Sequence, residues 1–172
     1  SLAQILSGHE REVTGMVFSP GGDTLVTGSS DGYLRVWQLA YDGQIDVVDH
    51  GASVFSVGLS PDGQWMATGA DDGVLRLWRS VQNANADFPD KIANLEAHPD
   101  RVTSITFSPD SLLLATGSID DTIKIWRVQD IEKGESVALV KTLEGMAGNV
   151  NSLAFSPGGT LLASGASDGQ VK

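Results

Sequence analysis

The sequence predicts an all-β fold of four consecutive four-stranded antiparallel units, and two observations carry that prediction. The first is a turn that recurs as Phe18-Ser19-Pro20, Leu59-Ser60-Pro61, Phe107-Ser108-Pro109 and Phe155-Ser156-Pro157, at spacings of 41, 48 and 48 residues. The second is that other landmarks keep the same register without gaps. Asp31, Asp72, Asp120 and Asp168 repeat at those three spacings. Trp37, Trp78 and Trp126 keep the first two, as do His9, His50 and His98, and Met146 stands where a fourth histidine would fall. No segment shows a convincing 3.6-residue period, which argues against helices.

Each unit resolves into short strands. The first strand covers residues 13–18, with copies at 54–59, 102–107 and 150–155. A Ser-Pro turn follows, its proline preset for turn position i+1. The second strand covers 25–29, 66–70, 114–118 and 162–166. An Asp-Gly or Asp-Asp turn leads into the third, at 33–39, 74–79 and 122–128. The fourth precedes each next histidine position, at 44–48, 91–95 and 137–143. Four short strands in about 40–45 residues is the pattern of a β-propeller blade. The divisions are residues 1–8 as the outer strand of a preceding or closing blade, 9–49, 50–97 and 98–145 as blades one to three, and 146–172 as an incomplete fourth.

The first strand indicates how blades stack. Met16 and Phe18 match Val57 and Leu59, Ile105 and Phe107, and Leu153 and Phe155 as a large apolar face. The other face is small, with Gly15, Ser56, Ser104 and Ser152. Large faces filling against small ones suit crowded inner strands near a propeller axis. Trp65 stands where other units have Thr24, Leu113 and Leu161, so burial at a blade edge is expected, with an aromatic rim contact as the alternative.

Composition narrows the function classes. The chain has 172 residues and no cysteine, which excludes disulfides and thiolate metal sites and fits an intracellular, cytoplasmic protein. No apolar run approaches the roughly 20 residues that span a bilayer. The formal charge is −11, and the 11 Lys and Arg residues are scattered singly. Nucleic acid and anionic membranes are therefore not expected partners, because both need a basic track. Solubility is the plain reading of the charge, and a preference for basic partners the sharper one.

The His, Ser-Pro, Asp and Trp landmarks together resemble the WD-repeat family over essentially the whole chain. The family's terminal Trp-Asp is loosened here to Trp37-Gln38, Trp78-Arg79 and Trp126-Arg127. The resemblance implies a hydrogen-bonded tetrad in each blade: His9, Thr27, Asp31 and Trp37; His50, Thr68, Asp72 and Trp78; His98, Thr116, Asp120 and Trp126. A buried carboxylate needs partners, and imidazole and hydroxyl groups supply them. The fourth unit keeps only Ser164 and Asp168, because its indole position would be residue 174, and it is expected to be the weakest blade.

A Thr, His and Asp set invites a hydrolase reading, but an active site occurs once per domain and this constellation occurs three times in register. The histidines lie one per repeat, which speaks against a shared metal. No phosphate-binding or dinucleotide glycine motif is present, so no cofactor is expected. The expected function is a noncatalytic protein–protein interaction scaffold. Two alternatives stay open: a sensing or regulatory part of a larger protein whose catalytic part lies elsewhere, and an engineered or fragment propeller without a biological partner.

By the same resemblance, partners meet the loops joining fourth to first and second to third strands. The rim candidates are Ser30, Asp71, Ile119 and Ser167 before each aspartate, and Glu12 and Thr14, Ser53 and Phe55, Arg101 and Thr103, Asn149 and Asn151 at the inner-strand starts. Phe55 and Ile119 are the sharpest anchors, and Arg101 either meets an acidic partner group or pairs with Asp71 or Asp100. Units two and three are 7 residues longer than unit one, in loops 80–90 and 129–136, where Phe88-Pro89 is a contact candidate. Propellers of this family usually close with about seven blades. A piece of a longer chain is therefore the favoured reading. Two chains completing an eight-blade ring, or four blades closing alone through residues 3–6, are the others.

Overall fold

A computed structural model describes residues 5–39, 45–79, 90–128 and 137–172. All regular structure among them is strand, in antiparallel sheets. The first blade contains β1 (Val13–Phe18), β2 (Thr24–Ser29), β3 (Tyr33–Gln38) and β4 (Ile45–Asp49). The second contains β5 (Val54–Leu59), β6 (Trp65–Ala70), β7 (Val74–Arg79) and β8 (Asp90–Glu96). The third contains β9 (Val102–Phe107), β10 (Leu113–Ser118), β11 (Ile123–Arg127) and β12 (Ala138–Leu143). The fourth has β13 (Val150–Phe155) and β14 (Leu162–Ala166). Each sheet is a simple meander in chain order, and short hairpins join its first strand to its second.

The strands start and stop within a residue or two of their expected positions, because turn chemistry punctuates them. Ser19, Ser60 and Ser108 show how: each backbone N–H donates to the carbonyl of the residue opening the next strand, and each hydroxyl receives that residue's N–H. The outer strand expected at residues 3–6 is different. Residues 1–4 lie outside the described residues, and Ile5 and Leu6 form no strand. The expected loop contact at Phe88-Pro89 also lies outside them.

The inner strands β1, β5, β9 and β13 pack side by side in chain order. The core therefore lies between blades rather than within them. One buried cluster joins Val26, Leu34 and Val36 of the first blade to Val54, Met66 and Trp78 of the second. Another joins Trp65, Leu75 and Leu77 of the second to Phe107, Leu114 and Trp126 of the third. Trp65 is buried in this cluster, with the Arg79 guanidinium 5.9 Å from its ring centre. The fourth sheet is two-stranded, extended by a bridge between Gly165 and Val171, by paired backbone bonds between Ser164 and Lys172, and by the Ala166 N–H donating to the Gln170 carbonyl.

Candidate functional site

Each inner strand carries a β-bulge at its second residue. Val13 pairs with Ser29 and Gly15 with Gly28, which leaves Thr14 as the extra residue, and Phe55, Thr103 and Asn151 repeat this. A bulge re-aims its side chain. The Thr14 hydroxyl reaches back to the Gly28 carbonyl at 3.1 Å and across to the Val54 carbonyl of the next blade at 2.5 Å. Thr103 does the same with Gly117, at 3.0 Å, and with Val150. These two expected rim residues thus tie blade to blade. Phe55 has no hydroxyl, and the neighbouring Ser56 donates to Val102 at 3.4 Å instead. The freed Phe55 ring lies beneath the Arg101 guanidinium, 3.8 Å from its centre.

Of the two alternatives for Arg101, the ion pair with Asp71 or Asp100 does not form among the described residues, and its guanidinium stacks on Phe55. Its buried Nε has no hydrogen-bond partner there. The remaining rim residues come in backbone-linked pairs. Ser30 N–H donates to Glu12, Asp71 to Ser53, Ile119 to Arg101 and Ser167 to Asn149, at 2.9–3.2 Å. One hydrogen bond in each blade thus sets two variable side chains next to each other. Glu12, Asp71, Asn149, Asn151 and Ser167 are exposed, whereas Ser30, Ser53, Phe55 and Ile119 are half-buried.

Beneath this rim lie the tetrads. In the first blade, the Trp37 indole N–H donates to Thr27 Oγ1 at 2.9 Å, Thr27 bonds His9 Nε2 at 2.8 Å, and His9 Nδ1 bonds Asp31 at 2.9 Å. Asp31 also accepts from the backbone of Glu10 and Tyr33 and from Arg35. Burial alone would raise its pKa, but hydrogen bonds from His9, Glu10 and Tyr33 hold it well below the ordinary carboxylate range. The third blade repeats the chain through Trp126, Thr116, His98 and Asp120 at 3.0, 2.8 and 2.8 Å. Thr122 adds its hydroxyl to Asp120 at 2.8 Å.

The second blade departs from the implied tetrad. Trp78, Thr68 and His50 are linked at 2.9 and 2.8 Å. The His50 Nδ1–H, however, turns to the Ala52 carbonyl at 3.3 Å, and Asp72 is held by Arg76 through two bonds of 3.2 and 2.6 Å. A bidentate guanidinium outcompetes a single imidazole N–H for the carboxylate. Burial, reinforced by the positive charge of Arg76, pushes His50 down to about 4. In the fourth blade the Ser164 hydroxyl reaches only the Met146 sulfur, at 3.7 Å, a weak acceptor. Asp168 receives the Gln170 N–H.

The family model described as WD domain, G-beta repeat matches residues 1–38, 44–79, 89–127 and 138–172. The chain belongs to the WD-repeat family. In this WD-repeat chain the first three matched segments end with the third strand of a blade, β3, β7 and β11, and the last three begin at or just before an outer strand, β4, β8 and β12. The structure is similar to that of the RRP9 WD40 repeats, with a TM-score of 0.83 at 21% identity, covering 98% of this chain and 49% of that one. It is similar to the structure of U3-55K with a TM-score of 0.82, again at 21% identity, covering 98% of this chain and 50% of that one. The chain thus spans about half the length of these solved WD40 chains, and the likeness establishes a WD-repeat β-propeller fold. WD-repeat propellers serve generally as interaction scaffolds.

Sequence reasoning missed one feature of this face. An open depression of about 290 Å³ lies between the first two blades, lined by residues 30–33 on one side and Asp49 with residues 51–53 on the other. Tyr33 and Asp49 pair directly across β3 and β4. The available signal was Tyr33 itself, an aromatic where the other units have Val74, Thr122 and Gln170.

Proposed function

We propose that this chain is a noncatalytic scaffold whose loop face receives a basic segment of a protein partner at the depression between the first two blades. The observation that carries this reading is the charge of that face. Glu10, Glu12, Asp49, Asp71 and Asp100 are all exposed there. The cations nearest the aspartate turns are turned inward: Arg35 to Asp31, Arg76 to Asp72, and Lys124 to the Ala97 carbonyl. A face whose exposed carboxylates form no ion pair among the described residues, and which carries an exposed aromatic, attracts Lys or Arg through long-range charge and ring stacking. The Arg101–Phe55 stack supports the reading, since a guanidinium already lies on an aromatic ring at this rim.

The tetrads support the noncatalytic part of the reading. The Thr27, Thr68 and Thr116 hydroxyls each accept an indole N–H and bond an imidazole, and all three are buried. No substrate carbonyl can approach a hydroxyl so enclosed. Any catalysis by a longer protein would reside outside these residues.

Titration of Lys/Arg-rich peptides against their Glu-substituted counterparts tests the proposal. The basic set should bind, weaken as salt is raised, and lose about tenfold in affinity in the Tyr33→Ala, Asp49→Asn double variant. Phe55→Ala with Ile119→Ser reports separately on the neighbouring rim. Equal binding of acidic and basic peptides, or unchanged affinity in the first variant with its melting temperature preserved, would overturn the reading.

A further inference from the structure

The junction between the second and third blades, both four-stranded, departs from a pattern that its neighbours keep. Thr14 ties the first blade to the second through the Val54 carbonyl at 2.5 Å, and Thr103 ties the third to the fourth through the Val150 carbonyl. The matching residue of the second blade is Phe55, which has no hydroxyl, and the Val102 carbonyl receives the Ser56 hydroxyl at 3.4 Å instead. A local rule broken at one repeat points to a role other than folding. Arg101 occupies the place so released, its guanidinium 3.8 Å from the centre of the Phe55 ring. The Arg101 Nε is buried without a hydrogen-bond partner among the described residues, and no ion pair to Arg101 forms there. Arg35, Arg76 and Lys124 differ, since each is bonded to Asp31, Asp72 or the Ala97 carbonyl. Buried donors are nearly always satisfied, so one held on a ring without an acceptor calls for one from outside.

We propose that Arg101, held flat on Phe55, receives a single carboxylate, an Asp or Glu side chain of the protein partner. The ring covers one face of the guanidinium and leaves its in-plane N–H edge, a fork that matches a carboxylate. Stacking also fixes the side chain in advance, so less freedom is lost when the acceptor arrives. The surroundings select a singly charged group. Asp100 precedes Arg101 and is exposed, as are Glu12 and Asp71 on the same face, and their charge opposes a phosphate more strongly than a carboxylate. Ser53, two residues before Phe55, lines the depression between the first two blades, so the two sites are neighbours on the rim. The partner segment therefore carries an acidic residue beside the Lys or Arg that the depression takes. That placement rests on the basic-partner reading, whereas the carboxylate contact at Arg101 does not.

Titration of the 172-residue chain with acetate, followed by NMR of the arginine Nε–H signals, tests the contact itself. The Arg101 signal, identified by its loss in Arg101→Gln, should saturate with about tenfold higher affinity than the signals of the exposed Arg11 and Arg127. Inorganic phosphate should bind it no more tightly than acetate. Lys/Arg-rich peptides carrying one Glu at successive positions, each compared with its Gln counterpart, test the use of the contact by a partner. One register should gain about tenfold from Glu on the wild type. Arg101→Gln, Arg101→Lys and Phe55→Leu should abolish that gain and leave the Gln peptides binding as before, with melting temperatures reporting that each variant stays folded. An Arg101 signal no more responsive than those of Arg11 and Arg127, phosphate binding tighter than acetate, bound peptides with no Glu gain in any register, or a gain that survives Arg101→Gln would each overturn the proposal. Failure of every basic peptide to bind, with acetate still saturating Arg101, would overturn the basic-partner reading and leave the carboxylate contact standing.

Discussion

Val150 fills the space that a side chain on Gly117 would need, with Val150 Cγ1 2.5 Å from the position of a Cβ there. The contact joins the third blade to the fourth, whereas a Cβ on Gly165, the matching glycine of the fourth, would meet only Ser152 Oγ among the described residues, at 3.8 Å. Gly117→Ala should therefore destabilise by about 1–3 kcal/mol through overpacking. Gly165→Ala should stay within about 0.5 kcal/mol, as surface changes do. Urea unfolding of the two variants at equal low concentration measures the difference, and equal losses would contradict the knob-and-socket account.

The aspartates of the three tetrads should differ in worth. Asp31 and Asp120 each hold a histidine, and their side chains are 5% and 10% exposed. Their replacement by alanine leaves a buried imidazole N–H without its acceptor and should cost about 1–3 kcal/mol. The Asp72 side chain is 32% exposed and pairs with Arg76 rather than His50. Asp72→Ala should cost under about 1 kcal/mol, as partly solvated ion pairs do. A loss at Asp72 as large as at Asp31 would show that His50 and Asp72 are coupled after all.

Stability should fall on mild acidification. His50 titrates near 6.5 when unfolded and is pushed down to about 4 in the fold, first by burial and then by the Arg76 charge. The unfolded chain binds more protons in that interval, so the contribution is fully present above pH 6.5 and lost towards pH 4. The loss should reach about 3 kcal/mol. Burial lowers His98 too, with the same sign, against the opposing pull of Asp120. The depressed carboxylates of Asp31, Asp72 and Asp120 add a further loss at lower pH still. Thermal melts of His50→Gln between pH 7 and 4 should show a shallower slope than the wild type, and an identical slope would exclude His50 as the source.

Among the described residues, two non-glycine residues hold left-handed backbone, Ser111 at φ 62° and Asp121 at φ 65°. Glycines occupy the matching turn positions elsewhere: Gly22, Gly63 and Gly159 for the first, Gly32, Gly73 and Gly169 for the second. Asp121→Gly should stabilise by about 0.5 kcal/mol through relief of that strain. Ser111→Gly should bring no gain, because the Ser111 hydroxyl accepts the Asp62 N–H of the preceding blade at 3.1 Å. Paired denaturation curves distinguish the two.

Much of the fold was legible because its signals are local. Ser60 and Ser108 stop a strand and start the next within five residues, and the Asp-Gly turns at Gly32 and Gly73 permit one backbone geometry. The indole–hydroxyl–imidazole links were legible only as what the family resemblance implies, and the register explains them, since it puts Trp37 opposite Leu25 and beside Thr27. The His50–Asp72 link did not follow, because Arg76 competes for the carboxylate, and which donor wins depends on distances of a few tenths of an ångström. The rim was only half legible. Thr14, Phe55, Thr103 and Asn151 share a position, but whether each side chain ties two blades or faces the rim depends on the bulge and on the neighbouring carbonyl.

The sequence by itself determined the repeat, the strands and the order of the blades, because strand patterns and turns are set by residues close in the chain. The tertiary structure decided what lies between blades: the valines seated on glycines, the Thr14 bridge to Val54, the Phe55–Arg101 stack, and the depression beside Tyr33 and Asp49. The physical reason is that those side-chain contacts join residues of neighbouring repeats, far apart in the chain. Their formation rests on how one twisted sheet lies on the next, and a period in the sequence specifies that such sheets recur without specifying which side chains meet.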